Sequence, residues 1–267
     1  MPPIRPVTPA AATAAYRTAA SLLPWLLLAL LAAAPLPLLA QIAGRSGDGY
    51  LFRRPVISLT VRGGYDRPTA GSDIYDFTTT QLTLDKGDFA AGSYQIDLGV
   101  RLADRVDLVF GGGEARRTKG SEFRKYIDND DQPIEQETAL RRVPLTVGVR
   151  YALTSPGDRI SRFAWVPARF TPWIGAGGGS MYYVFEQRGD FVDFETLDVF
   201  NRRFRSNGFA PMGYASLGAD IGLTPRLLLS ADLRYSAARA ALSNAFEGFE
   251  KIDLSGTAAT LGFTVRY

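Results

Sequence analysis

The chain has 267 residues, with 30 Lys or Arg against 27 Asp or Glu, and it contains neither Cys nor His. The absence of Cys excludes disulfide scaffolds, catalytic thiols, lipidated cysteines and cysteine-bound metals. The absence of His excludes Ser-His-Asp catalysis and histidine-bound metals. Composition does not exclude a hydrolase that uses carboxylates alone, but we expect no enzyme and no cofactor.

Residues 1–40 predict a cleaved export signal. Arg5 and Arg17 are its only charges, an apolar run extends from Leu22 to Ala34, and the small residue Ala40 follows. This order of charge, apolar core and small residue is typical of a signal peptide. A core of about a dozen residues is short for a membrane span, which needs roughly 20. Removal of two cations and no anions leaves a net charge of +1, so we expect no nucleic-acid partner.

Beyond residue 54 the dominant pattern is an alternation of apolar and polar residues with period two, which predicts β-strands. Eight segments show it: 57–65, 94–102, 106–110, 143–153, 170–185, 209–223, 227–235 and 259–267. Most reach the 9–11 residues that a membrane barrel strand needs, whereas strands of soluble proteins usually have about five to six.

The connections between these segments alternate in length. The links at 103–105 and 224–226 are tight. The link at 154–169 is longer, but it belongs to the same alternate set of connections and therefore to the same rim. Long loops are predicted at 67–91, 117–141, 187–207 and 237–253. Short turns at one rim and long loops at the other are typical of outer-membrane barrels.

Alternation alone does not show which face of the barrel is apolar. A secreted, lipid-binding barrel of lipocalin type also has eight strands, with its apolar side chains inside. The export signal favours the membrane, and so do the polar positions of the strands, where small residues and balanced charges replace the Lys of a soluble exterior. Aromatic residues near strand ends predict interfacial girdles; they are Tyr65, Tyr94, Tyr151, Trp165, Trp173, Tyr182, Tyr183, Tyr235 and Tyr267.

The chain ends with an aromatic residue that apolar residues precede at every second position, namely Phe263, Val265 and Tyr267. This ending resembles the C-terminal assembly signal of Gram-negative outer-membrane proteins. With eight strands, the chain resembles the small barrels typified by the OmpA transmembrane domain, OmpX and OmpW. The resemblance implies a cleaved signal peptide (1–40), a short periplasmic segment (41–54) and an all-β, eight-stranded antiparallel transmembrane barrel (55–267). It also implies a monomer, residence in the outer membrane with its lipid, and insertion by the barrel assembly machinery.

Ten charged residues share the polar phase of the strands and predict a lumen network: Arg62, Asp97, Arg101, Asp107, Arg142, Arg150, Asp220, Asp232, Arg234 and Arg266. The interior of an eight-stranded barrel is just wide enough for side chains. These charges therefore predict a structural network that fills the lumen, with a narrow or gated solute path as the alternative. We expect Arg101 and Arg150 to pair with Asp97, Asp220 or Asp232 across the lumen.

The long loops predict the contact surface. Their basic residues suit lipopolysaccharide phosphates, with a solvated charged loop as the alternative; the candidates are Arg116, Arg117, Lys119, Arg124, Lys125, Arg202, Arg203 and Arg205. Apolar residues of 73–90 are expected to fold over the barrel mouth or to pack the loops together.

Function is expected to be structural, surface-binding or limited to passage of small solutes. An alternative is OmpW-like transport of a small apolar ligand, which a cluster of apolar residues in the outer half of the lumen would support. The strand phase assigns few such residues there, with Met212 and Tyr214 as candidates.

Overall fold

The computed structural model describes residues 49–127, 132–193 and 198–267. These residues belong to one compact unit, Asp48–Tyr267. The other unit, Met1–Gly47, lies outside the described residues, and so does the predicted signal peptide.

Antiparallel strands dominate this unit. Their bounds are β1 Ile57–Pro68, β2 Ala91–Ala103, β3 Val106–Ile127, β4 Pro133–Ala152, β5 Gly157–Ser161, β6 Ala164–Pro167, β7 Phe170–Val192, β8 Val199–Gly222, β9 Leu227–Ala240, β10 Ile252–Asp253 and β11 Gly256–Arg266. The eight long strands pair in the order β1-β2-β3-β4-β7-β8-β9-β11, and β11 pairs back onto β1. The ring is closed, which confirms the predicted eight-stranded antiparallel barrel.

Side chains of the long strands alternate between the inside and the outside of the ring. On β4, Leu145, Val147 and Val149 are exposed, whereas Thr146 and Gly148 between them are buried. The same holds around the ring: large apolar side chains point outward and polar ones inward. This arrangement is the reverse of a lipocalin-type barrel and suits an apolar surrounding medium.

Two hairpins extend the ring at one end, which we call the hairpin end. Strands β3 and β4 continue to Ile127 and Pro133, and β7 and β8 continue to Val192 and Val199. The prediction of long loops at 117–141 and 187–207 was therefore wrong for most of both segments. The alternation continues there with polar rather than apolar residues on the outside, a pattern that was interpreted as loop.

The opposite end, which we call the short-turn end, has tight connections between β2 and β3 and between β8 and β9. The third connection carries the small β5–β6 hairpin. The segment before β1 docks on that hairpin, because Leu51 and Trp165 exchange two backbone hydrogen bonds of 2.8 Å. The backbone N–H of Val56 also donates to the Tyr267 carbonyl at 2.7 Å.

Helical segments close the hairpin end. Helix α1 spans Asp73–Gln81, and single turns of 3-10 helix span Lys86–Phe89 and Asn244–Phe246. Asp73 and Asp76 lie in the first turn of α1, where carboxylates are favoured by the helix dipole. Of the helices in the described ranges, none is long and apolar enough to cross a membrane.

The close packing of β11 against β1, which closes the ring, can be tested with a larger side chain. Gly262 on β11 faces Arg62 on β1, and a Cβ at Gly262 would collide with the Val61 carbonyl oxygen and lie 2.6 Å from the Arg62 Cα. We expect Gly262→Val to destabilise the barrel by about 1–3 kcal/mol, measured by denaturant unfolding and by the heat-dependent gel shift. The control is Gly63→Val in the same strand pair, where the Cβ would lie 3.8 Å from the Ser93 carbonyl oxygen. Equal loss in both variants would contradict the steric explanation.

Candidate functional site

The structure places all ten residues of the predicted charge network on the inward face of the ring. Nine belong to sets of contacting charges, and their side chains are buried or nearly so. Arg266 makes no ion pair with a described residue. The contacts arrange the network in tiers along the barrel axis.

The middle of the three tiers contains Arg62, Asp97, Asp232 and Arg234, which together carry no net charge. We call these four residues the upper quartet, because they lie farther from the short-turn end than the second quartet described next. Arg62 forms an ion pair with Asp97 and lies 3.4 Å from Asp232. Arg234 lies 3.6 Å from Asp232 and 3.9 Å from Asp97. All four side chains are at most 10% exposed. Two cations are thus surrounded by two anions, which compensates the desolvation of each charge.

A second neutral quartet lies towards the short-turn end and consists of Arg101, Asp107, Arg150 and Asp220; we call it the lower quartet. Asp107 accepts from Arg101 and lies 3.2 Å from Arg150, which also lies 3.5 Å from Asp220. Of the pairs expected for Arg101 and Arg150, only Arg150–Asp220 is present. Arg101 contacts Asp107 because the turn between β2 and β3 brings these two residues opposite each other.

The third tier is nearer the hairpin end and contains a residue that the sequence analysis missed. Arg142 on β4 reaches across the lumen to Asp66 on β1 and donates to the Leu254 carbonyl at 2.9 Å. Asp66 has the same strand parity as Arg62, but the predicted strand ended at Tyr65. Continuing the alternation of the strand by one residue, from Tyr65 to Asp66, would have identified Asp66 as an inward residue.

Aromatic residues close the short-turn end. The Arg266 guanidinium stacks on Trp165 at 5.2 Å and donates to the Pro225 carbonyl at 2.9 Å. Arg150 lies over Trp173 at 5.2 Å. Trp165, Trp173 and Tyr183 are inward and at most 4% exposed, so their assignment to interfacial girdles was wrong. Their strand parity, rather than their aromatic character, decides their direction.

The hairpin end of the lumen is filled by apolar side chains that the loops fold inward, a cluster we call the apolar plug. It joins Ile74, Tyr75, Phe89, Phe246, Ile252 and Leu254 to inward residues of the strands, among them Leu140, Met181, Tyr183, Phe185, Met212 and Tyr214. The expectation of few apolar residues in the outer half of the lumen was therefore wrong. Ile74, Tyr75, Phe89, Phe246, Ile252 and Leu254 come from connections, to which strand phase assigns no direction.

Two tyrosines in the plug differ in their polar contacts. Tyr183 donates to the Ala241 carbonyl at 2.7 Å and hydrogen-bonds with the Ser206 hydroxyl at 2.9 Å. The Tyr75 ring is fully buried against Phe89 and Phe185, and its hydroxyl has no hydrogen-bond partner among the described residues. Burial raises the pKa of Tyr75, because the phenolate would be desolvated.

Little space remains between the tiers. The cavities along the axis, around the lower quartet, the upper quartet and the lower edge of the plug, measure about 40, 20 and 40 Å³. One water molecule occupies about 30 Å³ of liquid. Glycines make this close packing possible: a Cβ at Gly177 would meet the Tyr214 ring at 2.8 Å. Among the described residues, each of these cavities has room for no more than a few water molecules.

The basic residues predicted for lipopolysaccharide contacts all lie on the extended hairpins. Several are engaged within the chain: Arg124 donates to the Leu82 carbonyl at 2.7 Å, Lys119 lies 3.2 Å from Asp88, and Arg203 and Arg205 both face Glu186. The four whose side chains have neither a hydrogen bond nor an ion pair to a described residue are Arg116, Arg117, Lys125 and Arg202.

The Lys119 contact also fixes the charge of its partner. A hydrogen bond from the Asp85 backbone N–H, together with the Lys119 ammonium, lowers the pKa of the Asp88 carboxyl below its ordinary value. This carboxylate therefore stays ionised at neutral and mildly acidic pH and holds the turn of residues 86–89 against β3.

The predicted assembly signal lies on the closing strand. Phe263, Val265 and Tyr267 point outward along the end of the chain, and Phe263 and Tyr267 are about half exposed. Their side chains are therefore accessible from the apolar side of the barrel.

Comparisons with known proteins agree with this architecture. No protein-family model and no curated protein sequence matches the chain. Similar solved structures include Neisserial surface protein A (11% identity, 79% of this chain and 97% of that chain, TM-score 0.41) and the outer-membrane protein OprG from Pseudomonas aeruginosa (14%, 81% and 99%, TM-score 0.42). Another is Ail of Yersinia pestis (10%, 80% and 100%, TM-score 0.38). At such identities the similarity concerns the fold alone.

The upper quartet predicts a large effect from loss of one cation. Arg62→Met leaves Asp97 and Asp232 buried with less compensation, so we expect a loss of about 3–5 kcal/mol in unfolding free energy. The matched control is Arg188→Met, which removes the ion pair to Glu137 at the exposed outer face and is expected to cost less than about 1 kcal/mol. Denaturant titration in micelles measures both. A cost for Arg62→Met no larger than the control would show that the quartet does not stabilise the fold.

The plug predicts opposite responses of its two tyrosines. Tyr75→Phe removes a buried hydroxyl that makes no hydrogen bond, and we expect unchanged or higher stability. Tyr183→Phe leaves the Ser206 hydroxyl and the Ala241 carbonyl without this partner, and we expect a loss of about 1–3 kcal/mol. Thermal unfolding of the two variants side by side tests this, and the reverse order of stability would refute the assignment.

Proposed function

We propose that this chain is a non-conducting outer-membrane barrel that displays two rigid hairpins at the cell surface, in a structural or surface-binding role. The observation that carries the proposal is the filled lumen. Two ionic quartets, the Arg142–Asp66 pair and the apolar plug lie in series along the axis. A solute would have to displace all of them.

Placement in a membrane is supported by the outer surface of the ring. Its outward apolar side chains include Leu98, Phe110, Val147, Leu217 and Leu261, each at least 40% exposed. Short turns face the periplasm in barrels of this kind, and the longer connections face outward. This orientation puts the extended β3–β4 and β7–β8 hairpins outside the cell and the β5–β6 hairpin in the periplasm.

Passage of an apolar ligand is the less favoured function. The outer half of the lumen does contain the apolar side chains that such a path needs. They pack against the chain's own loops, with the rings of Tyr75 and Phe89 4.9 Å apart. A ligand would therefore have to replace Tyr75, Phe89 and Phe246 rather than enter a preformed cavity.

Contact with lipopolysaccharide phosphates is the second candidate role. Arg116 is exposed on the outer face of β3, next to the Glu114–Arg141 ion pair and just beyond the apolar surface. Guanidinium groups bind phosphate through paired hydrogen bonds. Arg116, Arg117, Lys125 and Arg202 are the candidate contacts, since the other four basic residues are engaged within the chain.

Biogenesis is proposed to depend on the last strand. Phe263, Val265 and Tyr267 point outward on the strand that closes the ring, so the barrel assembly machinery would read them before β11 pairs with β1. The matched ring of eight strands needs no second chain to complete it, which favours a monomer. No enzymatic role is proposed.

Planar-bilayer recording tests the central proposal. The folded protein, identified by its heat-dependent gel mobility, is expected to show no unitary conductance steps in 1 M KCl. A general porin reconstituted in the same bilayers is the positive control. Reproducible unitary steps from the folded, purified protein would contradict a filled lumen and favour the solute-path alternative.

A further inference from the structure

The periplasmic rim is strongly basic. It comprises the segment before β1 and the three short connections, residues 49–56, 104–105, 153–169 and 223–226. These segments contain seven Arg and two Asp, a net charge of +5. Residues 49–267 together carry a net charge of +1, so everything outside the rim sums to −4. Cationic charge is therefore concentrated at one end of the molecule.

Part of this charge lines a groove of about 380 Å³ between the segment before β1 and the β5–β6 hairpin. The Leu51–Trp165 backbone bridge holds these two elements together. Five guanidinium groups line the groove, from Arg53, Arg54, Arg101, Arg159 and Arg162.

Three of these five cations are uncompensated. Arg54 pairs with Asp104, and Arg101 pairs with Asp107. The guanidinium groups of Arg53, Arg159 and Arg162 have neither a hydrogen bond nor an ion pair to any described residue, and all three residues are exposed. An anion in the groove would therefore meet three free guanidinium groups, which present paired donors matched to phosphate oxygens.

Apolar side chains flank the same groove. Phe52, Ile160 and Phe163 are 72%, 72% and 70% exposed. Phe52 lines the groove, and Ile160 and Phe163 adjoin its lining residues Arg159 and Arg162 in the β5–β6 hairpin. Leu102 and Phe170, at the short-turn ends of β2 and β7, are also apolar and exposed. A polar polymer would gain nothing from these side chains, whereas a lipid offers acyl chains to them and a phosphate to the arginines.

We propose that this groove binds the phosphate group of an anionic phospholipid in the periplasmic leaflet, with Arg53, Arg159 and Arg162 as ligands and Phe52 and Phe163 inserted beside the acyl chains. The proposal rests on the membrane placement given above. It is independent of whether the lumen conducts.

Native mass spectrometry tests the site on protein purified from membranes in a non-ionic detergent. Dimyristoyl phosphatidylglycerol and the zwitterionic dimyristoyl phosphatidylcholine are titrated separately. We expect retention of one phosphatidylglycerol at concentrations where phosphatidylcholine is lost. The groove variant Arg159→Gln/Arg162→Gln should weaken this retention roughly tenfold. The control variant Arg169→Gln/Arg226→Gln removes the same charge from the same rim outside the groove and should change it less than about threefold.

Three results would overturn the site. Equal retention of the two lipids would show that the site does not recognise the negative charge of the lipid. An equal loss of phosphatidylglycerol retention in the two variants would show that the whole rim attracts the lipid and that the groove is not a specific site. Sedimentation with purified peptidoglycan that depends on Arg159 and Arg162, without a difference in lipid retention, would assign the groove to the cell wall. A heat-dependent gel shift in every variant separates these results from misfolding, and conductance is scored independently.

Discussion

The need to balance charge in a space without bulk water governs this structure. An eight-stranded ring encloses little more than its own inward side chains, and a membrane outside requires that the apolar side chains point outward. The inward positions within the membrane are then polar, and a buried cation is costly unless anions or hydrogen-bond acceptors lie at contact distance. Arg62 and Arg234 share Asp97 and Asp232, and Arg150 bridges Asp107 and Asp220. Each quartet therefore sums to zero charge.

The interior changes character where the exterior does. Within the apolar surface, the inside of the ring is ionic; beyond it, the outer faces of the extended hairpins carry charges such as Glu137, Arg188 and Arg203, and the inside becomes apolar. Leu140 and Phe185 point inward there and are at most 3% exposed. The hairpin end is thus packed like a soluble protein, with α1 and the 3-10 turns supplying the other side of the core. This inversion explains why strands as long as the 24 residues of β8 remain paired well beyond the apolar surface.

Period-two alternation was enough to predict the strands, their order and the inward direction of the ten charged residues. The prediction from alternation failed on the hairpin extensions, where the outward side chains are polar rather than apolar. The inward residues there mix apolar and uncharged polar side chains, so the charges of these segments were interpreted as loops. Asp66 was missed because the strand was ended one residue early. Ion-pair partners follow from register and from distances across the ring, so the contact of Arg142 with Asp66 required the closed structure.

The filled lumen separates the two ends of the molecule, and its charges nearly balance, with six Arg against five Asp. At the hairpin end, several cations have an anion within the chain: Arg203 and Arg205 face Glu186, and Arg188 faces Glu137. At the short-turn end the arginines outnumber the nearby acids, and several have no partner in the chain. Exposed guanidinium groups without acids beside them gain most from an anionic surface, because no internal ion pair has to be broken first. The short-turn end is therefore the better candidate for binding a specific ligand. Binding residues are more often found on long connections, which would favour the hairpin end.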